Sequence, residues 1–480
     1  MKVSRIIYCM ALLAGGAVWS DPVPGRYWPA FPAPTAVVTS VSHNTISYAE
    51  GMALATLSGL VAHHTRAEGS GELVWIGLSD APSYDEWFAR WARYQGVPVD
   101  DGRYGVWTLI ERYRAQGIVK GYILFRRDPA TRGLYEGVPA DASANVATAL
   151  CAVLGGVAIE ESLESQAKAL GLPCLLDARG KDEAWVWAEY SGRFSHDLMA
   201  LQDPISFVVR DAAVAMNAMV VSGVGPLYET VLGALRPCSP VIGWGIGQED
   251  AITGPSSRYG AFQTATNWCV DLPLLSSGKT GLDYPVKRFP EPEPEARRDD
   301  PDTRYVSFIM TDGDNVQWLM LNFCKGGEAQ QYWACPDRGK TALGWTVPAM
   351  DLLQLCPYTL DYLSETATKN DDFVLLSGGY YYPDWFGDAR PEQGLLAQHA
   401  RRIGTYMRHC GLSNLLVNVQ DWDSDAAMKA YATYAQEIAG LDGLFVIQYA
   451  PYAAGRGAIR WMPAPDGREV PVMTPRHAIW

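Results

Sequence analysis

Four apolar runs in the C-terminal half each end on residues that could do chemistry. The run 305–310 is followed at once by Thr311-Asp312-Gly313-Asp314-Asn315. The run 373–376 leads into Ser377-Gly378-Gly379-Tyr380-Tyr381-Tyr382-Pro383, with Asp384 and Trp385 next. The run 415–419 gives way to Gln420, Asp421, Trp422 and Asp423, and the run 444–448 ends on Gln448 and Tyr449, with Tyr452 and Arg456 beyond. Acids beside a buried strand are costly, because like charges repel and desolvation penalises the ionised form. Glycoside hydrolysis has a use for such a pair: one carboxyl protonated to assist departure, one ionised to attack or to activate water. Asp312, Asp314, Asp421 and Asp423 are the candidate catalytic carboxylates. Asp312 and Asp314 would share one face of a continuing strand, and their repulsion would raise one pKa. A pair across the mouth, Asp312 or Asp314 with Asp421 or Asp423, is preferred, because adjacent residues rarely flank a glycosidic bond from opposite sides. Tyr and Trp present flat apolar faces with polar tips, which suits a sugar ring. Tyr380, Tyr382, Trp385 and Trp422 are therefore read as sugar platforms, with Tyr449 on the same rim. Asn315 and Gln448 are read as hydroxyl-binding groups. Glu249, after an earlier strand, is a further candidate.

Something must hold these rims on one edge. Helix-patterned stretches, 350–365 (broken at Pro357), 392–410 and 425–439, separate the runs. Regular alternation of strand and helix predicts an α/β domain over 303–480, built on a barrel or barrel-like sheet whose strand ends form one mouth. Ahead of it, smaller Rossmann-like α/β segments are expected over 21–104, 105–204 and 205–287, joined to it by a Pro/Glu linker, 288–302. In the first, 47–66 reads as helix, 72–78 as strand, and Ser83 as the cap of a helix over 84–94. In the second, helices are expected over 106–115, 142–154 and 160–170, and strands over 121–125 and 173–177. In the third, 211–221 reads as helix and 240–244 as strand. Gly243-Trp244-Gly245-Ile246-Gly247 imitates a dinucleotide-binding loop. Thr253-Gly254-Pro255 follows, so a loop rather than a helix is expected there, and the dinucleotide reading fails.

The acidic strand end and the glycine-tyrosine segment together resemble the GxGYxYP putative glycoside hydrolase family. Asp312-Gly313-Asp314-Asn315 matches its acidic strand end, and Gly379, Tyr380, Tyr382 and Pro383 match the motif that names it. Ser377 stands where the family has its first glycine. Further matches lie at Arg338-Gly339, Gly344-Trp345 with Pro348, Ser143-Ala144-Asn145-Val146-Ala147, and Gly243-Trp244 with Glu249. Thr56-Leu57-Ser58-Gly59 is similar to the family's Thr-Leu-Gln-Gly, with Ser58 in place of Gln. The resemblance implies a TIM-like glycosidase domain and an oligosaccharide or polysaccharide substrate.

Composition narrows the partners. A net charge of −14 disfavours nucleic acid, since phosphate binding needs basic surface. Residues 6–18 form an apolar run too short to cross a bilayer, preceded by Lys2 and Arg5. Residues 1–20 therefore read as a signal peptide cleaved near Ser20, and a secreted or periplasmic protein without membrane insertion is expected. Export permits disulfides, and Cys324 with Cys335 is the expected pair. His399 and His409 lie on a basic helix and read as surface residues. No zinc, nucleotide or serine-hydrolase signature occurs, and no cofactor or bound metal is expected. Two other readings stay open. Asp312, Asp314 and Asn315 carry oxygens suited to calcium or magnesium, as a metal-assisted carbohydrate deacetylase would need. The scaffold could also bind carbohydrate without catalysis, since fold alone does not establish a reaction.

Overall fold

The computed structural model describes residues 26–78, 81–127, 141–290 and 302–478. The signal peptide expected over 1–20, its cleavage point near Ser20 and residues 291–301 of the expected linker lie outside them. Ten short strands, all parallel, make up three sheets in the first half. β1 (Ala36–Ser40), β2 (Glu72–Trp75) and β3 (Val99–Tyr104) pair in the order β2-β1-β3. β4 (Gly121–Phe125), β5 (Gly156–Glu160) and β6 (Cys174–Asp177) pair as β5-β4-β6. β7 (Met199–Gln202), β8 (Met219–Val221), β9 (Pro240–Trp244) and β10 (Phe262–Thr264) pair as β10-β9-β7-β8. β7 thus belongs with strands beyond residue 205, so the third unit begins ahead of the expected boundary.

The long helix Tyr48–Glu68 ties these units together. Ser47 and Glu50 form a reciprocal capping box at its start, and Gly69, with φ 72°, ends it. Two thirds of its residues are buried, including the unbroken run Gly51–Ala62. A Cβ at Gly59 would lie 2.5 Å from the carbonyl oxygen of Asp211, so a glycine lets this helix meet Arg210–Ala215 backbone to backbone. The Thr56–Gly59 match is therefore a packing motif.

Seven strands form the second half: β11 (Ile309–Met310), β12 (Leu343–Val347), β13 (Asp371–Leu376), β14 (Asn414–Val419), β15 (Gly443–Gln448), β16 (Ile459–Pro463) and β17 (Glu469–Met473). Their order is β11-β12-β13-β14-β15-β17-β16, parallel except for the final hairpin. The parallel α/β arrangement is as expected. The closed barrel is not seen: β11 and β16 end the sheet, which is mixed, and no described strand joins them. Strand alternation divides the side chains of this sheet. Phe373, Leu375, Leu415, Val417, Leu444 and Val446 face the main core. Val374, Leu376 and Leu416, with Ile309, Phe445 and Ile447 packed against them, form a small separate cluster on the opposite face.

Several local expectations change. Residues 211–221 split into the helix Arg210–Ala215 and β8, whose Met219–Val221 pair with Met199–Leu201. Pro82–Gln95 begins at Ala81 with no side-chain cap, and Ser83 lies inside the helix with its hydroxyl unpartnered. Only Ile309–Met310 of the 305–310 run is strand, since it sits at the sheet edge with Tyr305, Val306 and Phe308 exposed. A helix, Glu249–Arg258, does follow the glycine-rich segment, with Pro255 inside it. Proline removes one intrahelical bond, and neighbours hold this helix from outside. Tyr228 Oη donates to the Ile252 carbonyl, Gly387 N donates to that of Ser257, and Gly254 packs under Trp385. His399 is fully buried, its Nε2 2.9 Å from the Gly378 carbonyl oxygen, and His409 is partly covered. All eight cysteines of the described residues are free, so the expected Cys324–Cys335 bond is not present; Cys324 is buried in the core and Cys335 is partly covered. Phe289, within the expected linker, is buried and stacks on Phe373 with ring centroids 4.1 Å apart.

Candidate active site

A cavity of about 340 Å³ opens at the carboxyl ends of β11, β13, β14 and β15. Leu376, Leu416 and Ile447, from the small inner cluster, form its apolar floor. Asn418 continues the same face of β14 into it. Above the floor stand Thr311, Asp312, Asp314 and Asn315 from the first strand end, and Tyr380 from the second. Trp244, Glu249, Asn267 and Trp268 enter from the third unit, and Tyr452 from the loop after β15.

Close backbone approach positions these groups. Gly313 N donates to Thr346 Oγ1 at 3.0 Å, and a Cβ at Gly313 would lie 2.2 Å from the Thr346 carbonyl oxygen. Only glycine fits between the two flanking acids. Asn315 N donates to the Asp312 carbonyl oxygen and Val316 N to that of Asp314, which folds the acidic turn on itself. Gly379, with φ 90°, would place a Cβ 2.1 Å from the Phe262 ring. That approach lets Tyr380 exchange two backbone hydrogen bonds with Gln263, clamping the tyrosine segment to β10. Ser377 adopts φ 47°, a conformation that glycine takes without steric cost.

Three carboxyl groups share this space. The hydroxyl of Tyr380 donates to Glu249 Oε1. Solvent reaches Asp312 and Asp314 through the cavity, yet protein surrounds both closely. Burial pushes Asp314 up to about 7, and the charges of Asp312, Glu249 and Asp351 add to the rise. Glu249 is also raised, first by burial and then by Asp312 and Asp250, while the Tyr380 hydrogen bond works against it. Asp312 is raised by burial. Among the described residues no Lys, Arg or His lines the cavity. Among the described residues no group of three or more His, Cys, Asp or Glu is arranged to hold a metal ion.

Two family models match the chain. Residues 302–480 match the "GxGYxYP putative glycoside hydrolase C-terminal domain", and residues 119–194 match the second domain of the family's N-terminal region. The chain belongs to the GxGYxYP family. A crystal structure described as a putative hydrolase from Bacteroides thetaiotaomicron superposes with a TM-score of 0.76 at 23% identity, covering 96% of this chain and 84% of that one. That likeness establishes a shared fold. No curated protein matches.

The GxGYxYP motif itself does two jobs here. Tyr380 reaches the cavity, whereas Tyr382 lies fully buried behind it, its ring 5.9 Å from those of Tyr380 and Tyr449. Tyr449 is in turn 5.9 Å from Tyr452, so four tyrosines make ring contacts in series, with Tyr380 and Tyr452 at the two ends both lining the cavity. Trp385 stands to one side, under the Arg258 guanidinium at 4.3 Å. Asp421, Trp422, Asp423 and Gln448 do not line the cavity. Asp384 accepts from the amides of Gln420 and Asp421, at 3.0 and 3.1 Å, and so fixes the exit of β14. Asp423 pairs with Arg460 at 3.0 Å, and Gln448 Oε1 accepts from Trp422 N. The sequence reading missed Asn267, Trp268 and Gln317. Their one signal was the Asn267-Trp268 pair, an amide beside an aromatic, in a segment with no recognisable strand.

The other family matches are structural. Asn145 is buried, donating to Glu183 Oε1 at 2.8 Å and accepting from Arg210 at 3.0 Å. Arg338 pairs with the buried Asp371 at 2.5 Å, and Trp345 Nε1 donates to the same carboxylate.

Proposed function

We propose that this protein hydrolyses a glycosidic bond in the cavity at the end of the seven-stranded sheet. One observation carries the reading: Asp314 and Glu249 face one cavity in unlike settings, Asp314 beside other acids and Glu249 under the hydrogen bond donated by the Tyr380 hydroxyl. Asp314, at about 7 and surrounded by negative neighbours, keeps its proton and serves as the general acid. Glu249, whose Oε1 accepts from the Tyr380 hydroxyl, is the partner that attacks or activates water. This is a pair across the cavity, with Glu249 in the place considered for Asp421 or Asp423. Asp312, at the mouth, holds the Asp314 proton by repulsion. Trp268, 47% exposed beside the cavity, and Trp244 offer faces on which a sugar ring stacks. Asn315 and Asn418 meet its hydroxyls. The volume lies near the low end of the ~300–1,000 Å³ range of small-ligand sites, which favours a chain end over the middle of a polymer. We also propose that the protein is exported and meets its glycan outside the cytoplasm, which rests on the residue pattern of 1–20.

A glycan screen that scores released reducing ends tests this. Wild type should release sugar, and Glu249→Gln and Asp314→Asn should each lower turnover by ~10²–10⁴-fold with unchanged thermal unfolding, the range for a positioned acid or base. Full activity in both variants would sink the assignment.

A further inference from the structure

The polar atoms of the cavity ask for a particular kind of sugar. Three carboxyl groups enter it and, among the described residues, no cationic side chain does. The charged neighbours that raise Asp314 and Glu249 are other acids, Asp312 for both, with Asp351 at Asp314 and Asp250 at Glu249. A second observation is independent of the acids. Asn267 and Gln317 line the cavity at 8% and 4% exposure, and Asn267 Oδ1 and Gln317 Oε1 have no hydrogen-bond partner. Gln317 Nε2 is turned to Asn315 Oδ1 at 3.4 Å, which leaves its carbonyl oxygen buried in the cavity wall without a donor. Buried acceptors without donors cost ~1–3 kcal/mol each, so a ligand that brings donors recovers that loss.

We infer that the cavity selects a sugar rich in hydrogen-bond donors and free of anionic groups, and that an amino sugar carrying an ammonium is held best. The inference rests on reading the cavity as a sugar site. Hydroxyl groups satisfy Asn267 Oδ1 and Gln317 Oε1 once these two amides turn from the wall toward the ligand. An ammonium supplies three donors and the positive charge that the carboxylates lack. A carboxylate or sulfate on the sugar would meet those same acids with no cation to receive it, and like-charge juxtaposition is a strong means of rejecting a ligand.

Titration calorimetry with the methyl glycosides of glucosamine, glucose and glucuronic acid tests this at low salt. Affinity should fall in that order, with glucuronide at least tenfold weaker than glucoside and the spread shrinking as salt is added. In Asp312→Asn the advantage of the glucosaminide over the glucuronide should narrow. In Asn267→Leu, with unchanged unfolding, all three should weaken together. Equal affinities, preference for the glucuronide, or binding of none of the three overturns the inference. Lost selection with glycoside cleavage intact would fall on the inference alone. Ordered binding with no glycoside cleaved would leave selection standing and remove hydrolysis.

Discussion

Glu183 and Asp314 are both pushed to about 7, and in both burial is the largest cause, yet their surroundings act in opposite directions. Glu183 lies in the packed first half. It accepts from Asn145 Nδ2 at 2.8 Å and Ser222 N at 3.0 Å, and the Arg210 charge also favours its ionised form. Asp314 lies at a cavity, and the charged neighbours that matter, Asp312, Glu249 and Asp351, all disfavour its ionised form. Elevation of a carboxyl is therefore a poor marker of function by itself. Unanswered like charges beside open space are the better one, because packing has left work there for a ligand.

The largest test of this contrast is Arg210→Met. Arg210 is fully buried and donates to Ser206 O, Asn145 Oδ1, Thr148 Oγ1 and Asp203 O, at 2.6, 3.0, 2.7 and 3.1 Å. Removing it strands four acceptors near a buried acid. Breaking such a buried set costs ~3–5 kcal/mol, which chemical denaturation should show as a large drop in midpoint. By contrast Glu249→Gln and Asp314→Asn relieve repulsion, so their midpoints should hold or rise while activity is lost. A cavity variant that unfolds as readily as Arg210→Met would erase the distinction.

How legible this was depended on the range of the forces involved. Asp312, Asp314 and Tyr380 were visible because strand, glycine and acid are neighbours in sequence, and the local pattern carries the geometry. Glu249 was visible, but its helix was not: Pro255 argued against one, and the hydrogen bonds that hold it come from Tyr228 and Gly387. The helix expected through Met219–Val221 lost to pairing with Met199–Leu201, a contact that no local window contains. Asn267 and Trp268 follow a strand of only three residues, Phe262–Thr264, whose place is set by β9 and by the Tyr380 backbone. Asp421 and Asp423 had the right residue types at a strand end, but the Asp384 hydrogen bonds and the Arg460 ion pair direct that loop elsewhere. The barrel followed from strand-helix alternation, which specifies parallel neighbours but not closure.

A smaller effect sharpens the electrostatic half of the comparison. Because neighbours raise Asp314, removing one should lower it. In the proposed role of general acid it would work while protonated, so activity should be present below its pKa and be lost as pH rises through about 7. Asp312→Asn removes the largest of the raising charges. The alkaline limb of kcat/KM should then move to lower pH, with activity lost at neutral pH and largely kept at acid pH. A limb that stays in place, or moves up, would mean that Asp312 does not govern the Asp314 proton.

The smallest expected effect is at the rim. Asp423 is exposed and its partner Arg460 is 43% exposed, a pair set in water. Such pairs contribute ~0–1 kcal/mol, and Asp423 does not reach the cavity. Asp423→Asn should therefore change the unfolding midpoint little and leave turnover within about twofold of wild type, a difference of ~0.4 kcal/mol. The Arg460 guanidinium lies 5.2 Å from the Trp422 ring, so its remaining contact is with that ring rather than with a second acid. A loss of turnover as deep as that of Glu249→Gln would move the chemistry across the mouth to the β14 exit. It would also mean that a solvent-exposed, paired carboxylate outweighs the unpaired ones, reversing the rule drawn from Glu183 and Asp314.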